Sequence, residues 1–410
     1  MNPTTIYSTP DKCRISGTGM MPIMNLGNMA LTGVFPKTPD EYIPSGPVTL
    51  MYAPDSGLVQ LKESYNPDLM YGDNYGYRSG LNDSMVRHLQ AKVAHLQKIC
   101  PVDAEDTVLD IGGNDGTLLK AYNVAGLKRY LVDPTACKWL EHYVGTDLFV
   151  QPTFFNSSWS ALHGKAKIIT SIAMFYDLED PKAFVLNVKK SLAHDGIWHF
   201  EQSYLPAMIN ATAYDTICHE HLEYYSFSVV YRLLASCGMK VVDVELNKIN
   251  GGSFAVTATH SDSPVQINFT AVNDLLKQEA KINWLATLRN FEARSISHRN
   301  KLRSLLHDIR NQGKVVGALG ASTKGNVLLQ FCHLTNKDIA FVGDVNPLKH
   351  GCFTPGTKIP IISEELARAY NPDFMLVLPW HFRDGIIERE HEYLKNGGHL
   401  IFPLPEIEIV

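Results

Sequence analysis

The sequence predicts an α/β chain in three parts: a small irregular or β-rich N-terminal unit, then two units in which strands and helices alternate. Three observations carry that prediction. The 410 residues exceed what one ordinary core accommodates. Between residues 69 and 284 short apolar runs alternate with segments of helical spacing, and after a long amphipathic stretch the alternation begins again. The first 68 residues show no helical period and are rich in Pro, Gly and Met.

Along the chain, "PVTLMY" and "LVQL" are the apolar runs of the N-terminal unit, and Met20, Met21, Met24 and Met29 read as core fillers. In the central unit "TVLDI", "RYLVD", "AKIITSI", "GIWHFEQ", "KVVDVEL" and "SFAVTAT" read as strands, and "SMVRHLQAKVAHLQKI" as a helix. Such alternation argues for a mainly parallel sheet covered by helices. Residues 271–312 read as one long charged amphipathic helix joining two domains. The strands "VVGALG", "IAFVGD", "FMLVLP" and "HLIFPLP" build the last unit. The expected boundaries are 1–68, 69–284 and 285–410.

Hydrophobic residues make up 45% and charged ones 19%, a globular balance. A net charge of −5 leaves no basic footprint for nucleic acid or anionic lipid. No apolar run approaches the roughly 18 to 20 residues that cross a bilayer. The N-terminus has no charged region followed by an apolar one, so a cytoplasmic location is expected. The seven cysteines are scattered without a CxxC pair, which reads as reduced thiols.

The strongest local signal is "TVLDIGGNDGTLLKAY". A strand ends in Asp110, and the turn Gly112-Gly113-Asn114-Asp115-Gly116 is expected to open a helix. The spacing is not GxGxxG, so no dinucleotide cradle is implied. The next strand ends in Asp133, where a carboxylate suits a ribose diol. This pair of strand-end acids around glycines resembles the S-adenosylmethionine (SAM) site of class I methyltransferases. That resemblance puts Phe154 and Phe155 beside the adenine, and Met174 and Tyr176 of "TSIAMFYDLEDP" beside the sulfonium.

The segment "DTICHEHLEYYSF" concentrates titratable groups. His219 and His221 are two apart, which does not give the HExxH spacing of a helical metal site. A general base, oriented by Glu220 or another acid, and a plain polar turn both remain open. Histidine titrates near working pH, and Tyr224 or Tyr225 could donate to an oxyanion.

Motifs across the whole chain resemble the nucleotide-sugar C-methyltransferases of deoxysugar biosynthesis: "YGDNYGYRSGLNDSM", "LDIGGNDGTLL", "MFYDLEDP", "DTICHEHLEYYS", "NGGSF", "GALGASTKGNVLLQ", "DVNPLKHGCFTPGTKIPI" and "LPWHFR". The resemblance implies a small zinc-binding N-terminal domain, a central class I (Rossmann-like) SAM domain and a second Rossmann-like C-terminal domain. It implies SAM as cofactor and a nucleotide-diphosphate keto-sugar as substrate, in a monomer or small homo-oligomer. His221 then falls on the base and Glu220 on its neighbouring acid, with Tyr75, Tyr77 and Tyr224 near the sugar. Arg78, Ser79 and Asn250 become substrate contacts. Ser322, Thr323 and Lys324 at a helix N-terminus offer a phosphate seat, with Lys349 and His350 as further diphosphate candidates.

Two features depart from that family. Cys218 stands where some members carry a tyrosine, and the two CxxC pairs expected for zinc read "CRIS" and "APDS", leaving Cys13 alone with Ser16, Ala53 and Ser56. No structural zinc is therefore expected. Two other readings stay in view: a catalytically silent nucleotide-sugar-binding protein, and an NAD-dependent oxidoreductase using the C-terminal unit.

Overall fold

The computed structural model describes residues 6–70 and 77–410. The N-terminal sheet begins with β1 (Met21–Ala30), β2 (Ser45–Tyr52) and β3 (Val59–Leu61), paired antiparallel. Then α1 (Asp83–Ile99) starts at Asn82, whose side chain accepts from the Ser84 amide. It is followed by β4 (Thr107–Ile111), β5 (Lys128–Val132), β6 (Leu148–Gln151) and β7 (Ala166–Ile172). Asp180 caps α2 (Pro181–Ser191), which has its proline in the first turn, and β8 (Leu192–Ser203) follows. After β9 (Glu223–Tyr224) come α3 (Phe227–Ser236), β10 (Met239–Asn247) and β11 (Ser253–His260).

The central sheet has the order β10-β11-β8-β7-β4-β5-β6, with β11 antiparallel to its neighbours and the pairs from β8 to β6 parallel. All five residues of β4 are buried, as they must be in a parallel strand covered on both faces. Connections reverse direction between β4 and β7. The crevice beyond the strand ends at that switch point is where such sheets hold ligands, and Asp110, Asp133 and the glycine turn lie there.

The segment expected as one long helix is two. α4 (Phe269–Glu279) ends, and Asn283 caps α5 (Trp284–Asn311) by accepting from the Ala286 amide. A second correction concerns the glycine turn, which opens only a 3-10 turn at Leu119–Ala121. Asn123 and Gly126 follow at once, and the chain must already enter β5 at Lys128.

The last unit contains β12 (Val316–Leu319), α6 (Thr323–Phe331), β13 (Val342–Asp344), β14 (Ile361–Ser363), β15 (Phe374–Val377), β16 (His399–Phe402) and β17 (Glu408–Ile409). Its order is β14-β13-β12-β15-β16-β17, parallel except for β17. The N-terminal sheet is not a separate body. β9 adds to it beside β3, and its buried residues share one hydrophobic core with α5 and the C-terminal sheet. None of the described helices is long and apolar enough to cross a membrane.

Candidate active site

A cavity of about 190 Å³ opens over the ends of β4, β5, β7 and β8. Asp110, Gly112, Gly113, Asn114, Asp133, Phe154, Phe155 and Met174 all border it, as expected from the sequence. A β-carbon on Gly113 would stand 2.8 Å from Leu131 Cγ and 3.0 Å from Asp110 Oδ2, and one on Gly112 3.0 Å from Met174 Cγ. A side chain at either position would force these neighbours to shift, and Gly112 also sits at φ 74°. Asn114 sits in the left-handed region (φ 49°) and donates its amide to Asp133 Oδ2 at 2.8 Å. Asp133 Oδ1 accepts from the Thr135 amide and hydroxyl, both at 2.6 Å. The carboxylate is thus fixed, with lone pairs left over for a diol.

The cavity's charge is one-sided. Asp110, Asp133, Asp177 and Glu201 border it, and among the described residues no lysine or arginine does. Burial pushes Asp110 up to about 7, against the hydrogen bond it accepts from Thr170. Burial also opposes the charge on Glu201, but His88 at 2.6 Å and Lys92 at 2.9 Å outweigh it and hold that carboxylate down to about 2. A wall of carboxylates with no cation among the described residues reaching into the cavity suits a ligand that brings an amino group, hydroxyls and a sulfonium. SAM therefore fits, and Asp133, the glycine turn, Phe154 and Phe155 are the residues that would hold it.

Several expected residues stand elsewhere. Asp115 turns from the cavity to accept from the Gly80 amide at 3.0 Å and the Thr117 hydroxyl at 2.6 Å. Gly116 backs onto Leu148 and Tyr143. Arg78 reaches His142 Nε2 at 2.8 Å and Asp115 at 3.8 Å, bracing the cofactor turn rather than a sugar. Ser79 and the half-exposed Tyr77 do border the cavity, held there by the Asn114 side chain. Tyr75 lies outside the described residues. Tyr176 is not on the cofactor wall: the 3-10 turn Phe175–Asp177 carries its ring to 4.4 Å from that of His221.

His221 occupies a separate small pocket, shared with Tyr176, Ser203, Thr216, Glu223 and Tyr224. Its Nδ1 lies 2.9 Å from the Thr216 carbonyl oxygen, which can only accept, so Nδ1 carries the proton and Nε2 the lone pair. Burial lowers the imidazole to about 4, keeping it neutral at pH 7. Thr216, not Glu220, orients the ring. Glu220 instead faces the N-terminal sheet: it accepts from Thr32 at 3.3 Å, and a β-carbon on Gly33 would meet its Oε1 at 2.8 Å. The Tyr224 hydroxyl is buried without a hydrogen-bond partner among the described residues.

From the C-terminal unit, Ser322 caps α6 by accepting from the Gly325 amide at 3.0 Å. The same β-carbon on Gly33 would lie 3.7 Å from Thr323 Oγ1, so the α6 N-terminus approaches Glu220. Lys324 Nζ donates to the Asn250 carbonyl at 2.8 Å, and burial lowers its pKa, partly offset by Asp215. Asn250, at φ 54°, also borders the cofactor cavity. Lys349 and His350 are committed to their own loop: Lys349 donates to Ala321 O at 2.7 Å with its ammonium 4.9 Å from the Phe35 ring centre, and His350 contacts Asp344 O at 2.8 Å. Neither borders the cofactor cavity or the His221 pocket.

Sequence reasoning missed Glu201, although it closes a strand as Asp110 and Asp133 do, and that position was the available signal. It also missed Arg14. That guanidinium donates to Leu61 O at 2.8 Å, Leu222 O at 3.3 Å and Ser64 Oγ at 2.7 Å, and its Nε lies 3.5 Å from Glu223. An isolated arginine in "DKCRIS" carries no pattern.

Residues 248–405 match the family described as C-methyltransferase C-terminal domain, residues 85–244 a methyltransferase domain, and residues 13–71 a putative zinc binding domain. The chain is 30% identical over 413 residues to the C-methyltransferase NovU of Streptomyces niveus, covering 98% of this chain and 97% of that one. Among solved structures, magnesium protoporphyrin IX methyltransferase from Synechocystis PCC 6803 with bound SAH is 14% identical, with a TM-score of 0.35 over 47% of this chain and 91% of that one. The zinc donor set does not fit here. The four positions fold into two facing turns, but Cys13 Sγ meets Ser56 Oγ at 3.2 Å, and Ser16 and Ala53 add no thiolate.

Proposed function

Since the chain belongs to the C-methyltransferase family and uses SAM, we propose that its acceptor is a nucleotide-linked keto-sugar, methylated on the ring carbon next to the ketone. The observation that carries this reading is the state of His221. It is a neutral imidazole with its proton pinned on Nδ1 by Thr216 and a lone pair on Nε2, in a pocket whose Tyr176 and Ser203 are chain neighbours of Asp177 and Gln202 on the cofactor cavity.

Transfer to oxygen needs only removal of a hydroxyl proton, whereas transfer to carbon needs a carbanion. A C–H next to a ketone yields one because the electron pair moves onto the carbonyl oxygen. His221 Nε2 takes the proton, and the unpartnered Tyr224 hydroxyl in the same pocket is a donor for the enolate oxygen. The bound cofactor supplies an electrophilic methyl on a cationic sulfur. Asp133 and the glycine turn fix the donor, so the carbanion meets the methyl without a search. The α6 N-terminus, with Thr323 and Lys324 close to Glu220 and Asn250, supports a diphosphate seat that runs from the base toward the C-terminal sheet.

Incubation of the protein with SAM and a panel of keto nucleotide-sugars, read by mass spectrometry, should show a gain of one methylene unit on a carbon. In deuterated water without SAM, the wild type should exchange the proton next to the ketone and His221→Asn should not. Methylation on oxygen, or exchange that survives His221→Asn, would overturn the assignment.

A further inference from the structure

Glu201 and Gln202 close β8 side by side, and both border the cofactor cavity. Their situations are opposite. Glu201 is saturated by His88, Lys92 and the Asn247 amide at 2.8 Å. Gln202 is 1% exposed, and neither Oε1 nor Nε2 has a hydrogen-bond partner among the described residues. A primary amide offers two donors and two lone pairs, and leaving all of them unmet away from water is costly. A methionine would fill the same volume without that cost. Unmet polar groups on a cavity wall are what a site built around a polar ligand presents before the ligand arrives.

The position says which ligand. Cofactor determinants stand at the ends of β4, β5 and β6, on one side of β7: Asp110, Gly113, Asp133 and Phe154. Gln202 stands on the other side of β7, with Met174 of the intervening turn on the same cavity wall. Its chain neighbour Ser203 borders the separate His221 pocket. Gln202 therefore lines the side of the cavity away from Asp133 and Phe154, and is the next residue along the strand from one in the His221 pocket. The geometry points to Gln202 as a specificity-determining residue that hydrogen-bonds the oxygen substituents of the acceptor ring, an inference that rests on the keto-sugar reading above. An amide suits a ketone beside a hydroxyl, because Nε2–H donates to the first and Oε1 accepts from the second.

Gln202→Met tests this in three measurements on the full chain. The variant should melt at a higher temperature than wild type without ligands, because an unpaired buried amide is gone. Its SAM affinity by calorimetry should stay within about twofold. Its kcat/KM for the keto-sugar that wild type methylates should fall about 10- to 100-fold, and Gln202→Glu should not restore it, because a carboxylate cannot donate to the ketone. A loss of SAM affinity would assign the amide to the cofactor and overturn the inference. So would unchanged kcat/KM, whatever the melting temperature. If wild type is inert on every keto-sugar, the acceptor class itself falls, and this inference with it. If wild type is active and Gln202→Met equally so, only the role of Gln202 falls.

Discussion

Arg14→Ala should destabilise the protein more than any exposed substitution, because the buried side chain joins the N-terminal unit to the segment that follows His221. Arg14 and Glu223 side chains are 3% and 0% exposed, with Nε and Oε1 3.5 Å apart. The same guanidinium ties Leu61 and Ser64 of the N-terminal unit to Leu222, the residue after His221. Truncating one partner of a buried ion pair leaves the other charge unmet, which costs about 3–5 kcal/mol. The loss should depend on pH. Burial pushes the Glu223 carboxyl well above its usual range, and Arg14 opposes that. Without Arg14 the folded-state pKa rises further above the unfolded value, so the folded variant binds more protons than the unfolded chain. Its stability then falls as pH rises toward the folded pKa. Urea unfolding at pH 6 and pH 8 measures both effects. Arg14→Met with Glu223→Leu should recover much of the loss, since paired apolar replacements are often neutral. A cost below about 1 kcal/mol for Arg14→Ala, or a variant more stable at pH 8 than at pH 6, would refute the reasoning.

His221→Asn should lower kcat about 10²- to 10⁴-fold, a general base's usual share, while SAM affinity by calorimetry stays unchanged. The wild-type rate should fall on acidification as His221, lowered by burial to about 4, gains its proton. Stability should fall as pH drops from 6.5 to 4, because the imidazoles of the buried His219 and the partly buried His221, both lowered to about 4, bind fewer protons folded than unfolded; thermal melts across that range check the sign. Gly113→Ala should cost about 1–3 kcal/mol by overpacking against Leu131 and weaken SAM binding, read by melting and calorimetry. Treatment with a strong chelator should leave the melting temperature unchanged, since Cys13 and Ser56 hydrogen-bond where a zinc site would need four ligands.

Much of this was legible in order along the chain. The run "AKIITSI" is the strand Ala166–Ile172, and "SMVRHLQAKVAHLQKI" is a helix but for one residue at its start, because a strong apolar period needs no distant partner to declare itself. Asp110 and Asp133 could be placed at the cofactor because a strand's end is a local event. Arg78 and Asp115 could not be told apart from ligand contacts, because each found a partner that no local pattern announces. Arg78 braces the turn through His142, 64 residues on. Tyr176 stands two residues from Met174, yet one lines the His221 pocket and the other the larger cavity.

The sequence by itself determined the alternation of strands and helices and the glycine turn after Thr107–Ile111, which depend on residues near one another in the chain, and its resemblance to a family singled out the His221 imidazole. Only the tertiary structure decided that Thr216 orients that imidazole, that Arg14 ties its segment to the N-terminal sheet, and that Glu201 is satisfied while Gln202 is not. Hydrogen-bond partners and burial are set by what the fold brings from far along the chain, and no local pattern of residues encodes them.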